Sequence, residues 1–191
     1  ARAAVLGPAG GGKSTLLSLI AGFEAPEGGR ILWNATDLAP LPPGARPLSI
    51  LFQEDNLFPH LSVFQNVGLG LDPRLRLGAD EKAQVESVLD RVGLSELGAR
   101  KPAALSGGQR ARVAFARVLL RARPILLLDE AFSSLGPALK SEMVLLLDDF
   151  AGEAGITILM VTHDPEEAAR MDQIIVVDNG AAAPPEPAGP L

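Results

Sequence analysis

Apolar residues gather into short, nearly unbroken runs at 3–6, 125–128, 156–161 and 174–177 instead of alternating with polar ones. Runs of that kind predict strands covered on both faces, as in a parallel sheet. Between them the patterning becomes helical, over 13–21, 107–121, 138–150 and 166–171. Strands alternating with helices predict an α/β fold with crossover helices. A further apolar run, 48–52, leads into a different region: from there to residue 105 a helix near 80–92 stands out and no strong strand does. A helical subdomain inserted into the sheet domain is therefore expected at about 54–105. Residues 181–191, AAAPPEPAGPL, are rich in Pro and Ala and are expected to be a disordered tail.

Composition narrows the function classes. A chain of 191 residues, 47% hydrophobic, can bury one sizeable core. No apolar run approaches the length of a membrane-spanning helix. The net charge of -6 argues against a nucleic-acid partner, which calls for a basic face. With no cysteine, a disulfide framework and a cysteine-based metal site are both excluded.

Directly after the first apolar run comes GPAGGGKST, that is Gly7, Pro8, Ala9, Gly10, Gly11, Gly12, Lys13, Ser14 and Thr15. It fits G-x-x-x-x-G-K-[ST], and it has the strand before and helix after that the pattern needs. In such a loop the backbone N–H groups curl around an anion and the following helix aims its positive end at it. Lys13 is expected to reach the β- and γ-phosphates of a nucleotide, and the Ser14 hydroxyl to ligate Mg²⁺.

The run ILLLDE ends in two carboxylates, at the strand end where α/β sheets hold their ligands. Asp129 is expected to hold Mg²⁺ through its water shell, and Glu130 to act as general base on the attacking water. Gln53, just past 48–52, is a candidate for binding Mg²⁺ or orienting water. His163, past 156–161, is a candidate for a hydrogen bond to the γ-phosphate. His60 has no such placement. A second anion site is expected at LSGGQ, where Ser106 caps a helix and Gly107 and Gly108 leave its N–H groups exposed ahead of Gln109.

Together these residues resemble the ATP-binding subunit of an ATP-binding cassette (ABC) transporter, and the likeness runs from the start of the chain to about Asp178. GPAGGGKST resembles the Walker A loop, Gln53 the Q-loop, LSGGQ the family signature, ILLLDE Walker B and His163 the switch histidine. The resemblance implies a P-loop NTPase fold, a single ATPase domain over 1–180, and ATP with Mg²⁺ as ligands. It further implies a head-to-tail dimer in which Ser106, Gly107, Gly108 and Gln109 of one copy meet the nucleotide held by the other. The segment LFQEDNLFPHLSVFQNVGLGL, 51–71, is similar to that of bacterial thiamine importers, with Gln53-Glu54-Asp55-Asn56 distinctive. Thiamine is thus the first choice of solute, ahead of iron(III), sulfate or polyamines. Permease subunits, a periplasmic solute-binding protein and a peripheral seat on the cytoplasmic face of the bacterial inner membrane come with that resemblance. So does a partner-facing role for His60.

Three departures qualify the likeness. Members of the family carry antiparallel strands before Walker A, with an aromatic residue that stacks on adenine; these are expected to be missing, since the sequence starts at Ala1. Gly136 stands where a carboxylate is usual. The strand and basic residue expected after Asn179-Gly180 are replaced by the Ala/Pro tail. A truncated nucleotide-binding module with little turnover is the alternative these departures raise.

Overall fold

The computed structural model describes residues 1–53 and 56–188. The chain divides into two compact units, one made of Ala1–Ile50, Arg123–Glu130 and Ile156–Leu191, the other of Leu51–Ala122 and Ala131–Gly155.

In the first unit the apolar runs become strands: β1 (Arg2–Leu6), and later β5 (Ile125–Asp129), β6 (Thr157–Val161) and β7 (Gln173–Asp178). The remaining elements in chain order are α1 (Lys13–Ala21), β2 (Leu32–Trp33), β3 (Thr36–Asp37), β4 (Leu48–Phe52), α2 (Val63–Gly68), α3 (Ala79–Arg91), α4 (Gly107–Arg121), α5 (Pro137–Ala154), α6 (Pro165–Ala169), β8 (Ala181–Ala182) and β9 (Glu186–Pro187). The sheet runs β4-β5-β6-β1-β7-β8, with β9 also on β7. β5, β6, β1 and β7 are parallel neighbours, in register Leu128↔Met160, Met160↔Ala4 and Ala4↔Ile174.

α1 packs against β5, and all four apolar residues of the 125–128 run are buried, as a covered parallel strand requires. Val5, Leu127, Val161 and Val177 form one buried cluster with Leu17 and Ala21 of α1. α6 packs against β1, and Ala4 and Ala168 are both fully buried. The α/β expectation holds, with strand bounds shifted by a residue or so.

The tail is a correction. Residues 181–188 pair antiparallel with the outer edge of β7, through Val177↔Ala182 and Gln173↔Pro187. Without them that edge would present a row of bare N–H and C=O groups. Asn179 (φ 50) and Gly180 (φ 75) make the reversal, two consecutive left-handed residues as in a tight hairpin. A Pro/Ala composition hid this because two-residue strands carry no periodic signal, and Pro187 sits at an edge where proline is tolerated. Residues 189–191 lie outside the described residues, as do Glu54 and Asp55 of the distinctive 53–56 stretch.

The second unit is helical. α2 opens with a capping box, Ser62 Oγ accepting from Gln65 N–H and Gln65 Oε1 from Ser62 N–H. It packs against α3 and α4. α2 and α3 fall within the span 54–105, and α4 and α5 join them in the same compact unit. Val85, Val88 and Leu89 of α3 and Val113, Phe115 and Ala116 of α4 supply the core, with Phe115 meeting Phe132 edge-on at 6.2 Å. α2 went unread in the pattern although S-x-x-Q at 62–65 is a helix-start signature. Among the described residues no helix is long and apolar enough to cross a membrane.

Candidate nucleotide site

β1 delivers the chain into the glycine loop under steric compulsion. Gly7 adopts φ 153, and a Cβ there would lie 1.9 Å from the Val177 carbonyl oxygen of β7. No side chain fits without pulling β1 from its neighbour. Gly11 N–H bonds to Pro8 O at 3.1 Å, and Gly180 N–H to Gly11 O at 3.0 Å. The β7–β8 turn therefore buttresses the loop, a support the sequence pattern did not reveal. Pro8, Ala9 and Gly10 stand exposed, as do Ser14 and Thr15 in the first turn of α1.

Gly12 caps α1 in a left-handed conformation with no side-chain hydrogen bond, and no acidic residue lies in the first turn. The positive end of the helix is left open for an anion. Lys13 Nζ bonds to Gly7 O and Pro8 O, at 2.9 Å each, so its ammonium lies across the loop. An open helix start, a backbone cradle and one ammonium suit a polyphosphate.

The ends of three parallel strands converge by register. Val161 faces Asp129 on one side and Val5 on the other. Asp129 is therefore level with the residue two before Gly7. Burial pushes the Asp129 carboxyl above the usual carboxylate range, the Glu130 charge adds to this, and Lys13 opposes it. A carboxylate held at this cost suits a cation ligand. Native Asp129 keeps its proton to higher pH than the unfolded residue, so its ionisation lowers stability as pH rises from the unfolded to the folded pKa. Asp129→Asn is thus expected to raise the melting temperature of the ligand-free chain near neutral pH by about 1–2 °C, while removing the extra stabilisation that Mg²⁺ adds to ATP. Thermal melts with and without each ligand measure both effects.

Glu130 sits at φ 47, a strained conformation for a residue with a side chain. Its N–H bonds to Val161 O at 3.0 Å, one step past the ladder. Its Oε2 lies 3.7 Å from Nδ1 of His163, beyond direct hydrogen-bond range, with the imidazole side chain 68% exposed. The fold thus brings Glu130 and His163 side by side.

The other expected residues belong to the second unit. Gln53 is exposed, one residue past β4. Ser106 caps α4: its Oγ accepts from Gln109 N–H at 3.2 Å, and Gln109 Oε1 accepts from Ser106 N–H at 2.9 Å. Gln109 is thereby a capping partner. Gly107 has room for a Cβ, whereas at Gly108 one would come within 2.4 Å of Leu139 Cδ2, on α5. Packing as well as exposed N–H groups therefore accounts for the second glycine. Gly136 caps α5 without a side-chain bond, and nothing lies within 4 Å of where its Cβ would be. His60 is exposed, its ring edge-on to Phe58 at 6.1 Å.

Some supporting residues escaped the sequence reading. Asn66 is fully buried; its Oδ1 accepts from Phe58 N–H, and its Nδ2 donates to the carbonyls of Phe58, Leu61 and Ser62. It holds the turn that presents Phe58 and His60. Arg46, also buried, binds carbonyls at the far end of α1.

Comparison with known proteins accords with this geometry. The family described as ABC transporter matches residues 1–133. The Thiamine import ATP-binding protein ThiQ of Cereibacter sphaeroides is 59% identical over 191 residues, covering 100% of this chain and 83% of that protein. Its namesake in Brucella suis is 56% identical, over 97% of this chain and 78% of its own length. A dimeric ATP-binding cassette in a post-hydrolysis state, bound to ADP and Pi, superposes with a TM-score of 0.84 at 30% identity, over 100% of this chain and 86% of its own. CbiO1 of Clostridium perfringens, part of the ABC transporter complex CbiONQ, gives 0.85 at 33% identity, over 98% and 77%. With the family's profile spanning the glycine loop, signature and ILLLDE, and with relatives matching the chain end to end, this protein belongs to the ABC transporter family of ATP-binding subunits.

Proposed function

We propose that the chain is the ATP-hydrolysing, energy-coupling subunit of an importer, and that the solute is thiamine. The observation that carries the solute is identity of 51–59%, across nearly the whole chain, to proteins named for thiamine import. The ATPase domain extends over 1–180, with its helical insert at about 54–105. Two copies associate head to tail, so that Ser106, Gly107 and Gly108 of one complete the site begun by Lys13 of the other.

Within this reading the glycine loop and Lys13 hold the phosphates. Ser14, Gln53 and Asp129 are the residues that would hold Mg²⁺, which when bound neutralises charge on the phosphates. Glu130 takes the proton of the attacking water, and His163 hydrogen-bonds to the γ-phosphate. Membrane permease subunits dock near Phe58 and His60, and a periplasmic binding protein supplies the solute. The chain itself is peripheral, on the cytoplasmic face of the inner membrane.

The test is ATP hydrolysis by the complex reconstituted in vesicles. Binding protein loaded with thiamine is expected to stimulate turnover several-fold, and binding proteins loaded with iron(III), sulfate or a polyamine are not. Stimulation by one of those instead removes the thiamine assignment. Nucleotide binding without turnover would favour a low-turnover module, the reading to which Gly136 lends its weight.

A further inference from the structure

The turn that carries His163 is secured from behind by two side chains to which the hydrolytic reading gives no part. Thr162 is 3% exposed and Glu167 6%. The Thr162 hydroxyl donates a hydrogen bond to Glu167 Oε2. The Thr162 hydroxyl oxygen in turn accepts Asp164 N–H at 3.0 Å. A hydroxyl used as donor and acceptor at once, on a side chain branched at Cβ, has little rotational freedom left.

Both ends of this link are anchored. Thr162 N–H bonds to Val5 O at 3.3 Å, at the end of β1. Glu167 rides on α6, which packs against β1. The Asp164 side chain accepts Glu166 N–H at 2.8 Å, and Asp164 O accepts Ala168 N–H at 3.1 Å, joining turn to helix. His163 lies between Thr162 and Asp164, with its ring largely in solvent. Its sole polar approach among the described residues is to Glu130 Oε2. An imidazole with no hydrogen bond of its own takes its direction from the backbone beneath it.

We infer that Thr162 and Glu167 are positioning residues for His163, their buried hydrogen bond setting the backbone that aims the imidazole at Glu130. This rests on the reading of Glu130 and His163 as the hydrolytic pair. A mere staple between turn and α6 would weaken folding and nucleotide binding without regard to His163. A positioning bond acts only through that ring.

Steady-state ATP hydrolysis by the reconstituted complex separates the two. Thr162→Val keeps the shape and loses the hydroxyl; it is expected to lower kcat about 10–100-fold, the scale of an ångström-sized misplacement, with KM for ATP within about twofold. Thr162→Ser is expected to restore kcat, and Glu167→Gln to retain it, since an amide oxygen still accepts the bond. Glu167→Met, which leaves the hydroxyl without its acceptor, should repeat the Thr162→Val pattern, so the outcome does not hang on one variant folding. The deciding comparison is the double variant. Thr162→Val added to His163→Ala is expected to cost nothing beyond His163→Ala alone. An equal further loss in that background, or unchanged kcat in both Thr162→Val and Glu167→Met, overturns the inference. Absence of hydrolysis in the unaltered complex would instead defeat the hydrolytic reading on which it stands.

Discussion

Glu130→Gln is expected to lower ATP turnover by about 10²–10⁴-fold, the range associated with loss of a general base, while ATP-dependent dimerisation persists. The amide keeps the volume and hydrogen-bonding reach of the carboxylate and loses its basicity. The backbone should tolerate the exchange, because what is unusual at residue 130 is its φ of 47, which Gln adopts at the same cost as Glu. The anchoring bond from its N–H to Val161 O is also independent of the side chain. Removing one of two adjacent carboxylates has a second consequence: the charge that helps raise the Asp129 pKa disappears. Asp129 should therefore ionise at lower pH in the variant, and binding of ATP with Mg²⁺ should hold or improve. Phosphate release and sedimentation, measured on one preparation, read the two properties separately. A variant that keeps turnover within about tenfold of the parent would move the base elsewhere. One that loses the dimer along with turnover would make Glu130 part of the closed interface.

How far the sequence could be read depended on what each residue answers to. Strands β1, β5, β6 and β7 were legible because each is a continuous apolar run, buried throughout in 125–128, and the starts of α1 and α4 followed from Gly12 and Ser106. Lys13, Asp129 and Glu130 were legible for a related reason, since a phosphate site constrains spacing along a single segment. What stayed hidden depends on how the chain folds back on itself, even over a few residues. The Thr162–Glu167 bond looks in sequence like an ordinary helix start, and β8 and β9 exist because β7 has an edge to cover. Asn66 reads as a polar residue in a glycine-rich stretch, and its four bonds depend on a turn that folds back over it. Even Gly108, whose exposed N–H was foreseen, answers also to Leu139, which sits thirty-one positions later on another helix.

Arg46→Met is expected to lower the unfolding free energy by about 3–5 kcal/mol, the sum of several buried carbonyls losing a charged donor at about 1–3 kcal/mol each, reduced by relaxation. Arg46 is 2% exposed. Its Nη1 donates to Leu19 O at 2.6 Å and Ile20 O at 2.7 Å, its Nε to Leu41 O at 2.9 Å and its Nη2 to Ala39 O at 3.3 Å. Leu19 and Ile20 lie in the last turn of α1, where carbonyls run short of partners (Leu19 O has the Gly22 N–H at 3.3 Å) and the helix dipole is negative. One cation thus satisfies the helix end and ties it to the 39–41 segment. Methionine fills the volume but takes the guanidinium donors away; Leu19 O keeps the Gly22 N–H, and each carbonyl left without a donor costs about 1–3 kcal/mol before relaxation. Gly22 provides an independent check. Its φ of 86 and a Cβ position 2.6 Å from Arg46 Nε make Gly22→Ala costly while the guanidinium is present. In the Arg46→Met background part of that cost should vanish, so the two losses should sum to less than additive. Urea unfolding of the four chains measures both effects. A loss below about 1 kcal/mol for Arg46→Met, no more than one ordinary hydrogen bond, would mean that water or neighbouring donors take over those carbonyls and that α1 does not need the arginine to hold its phosphate-binding end in place.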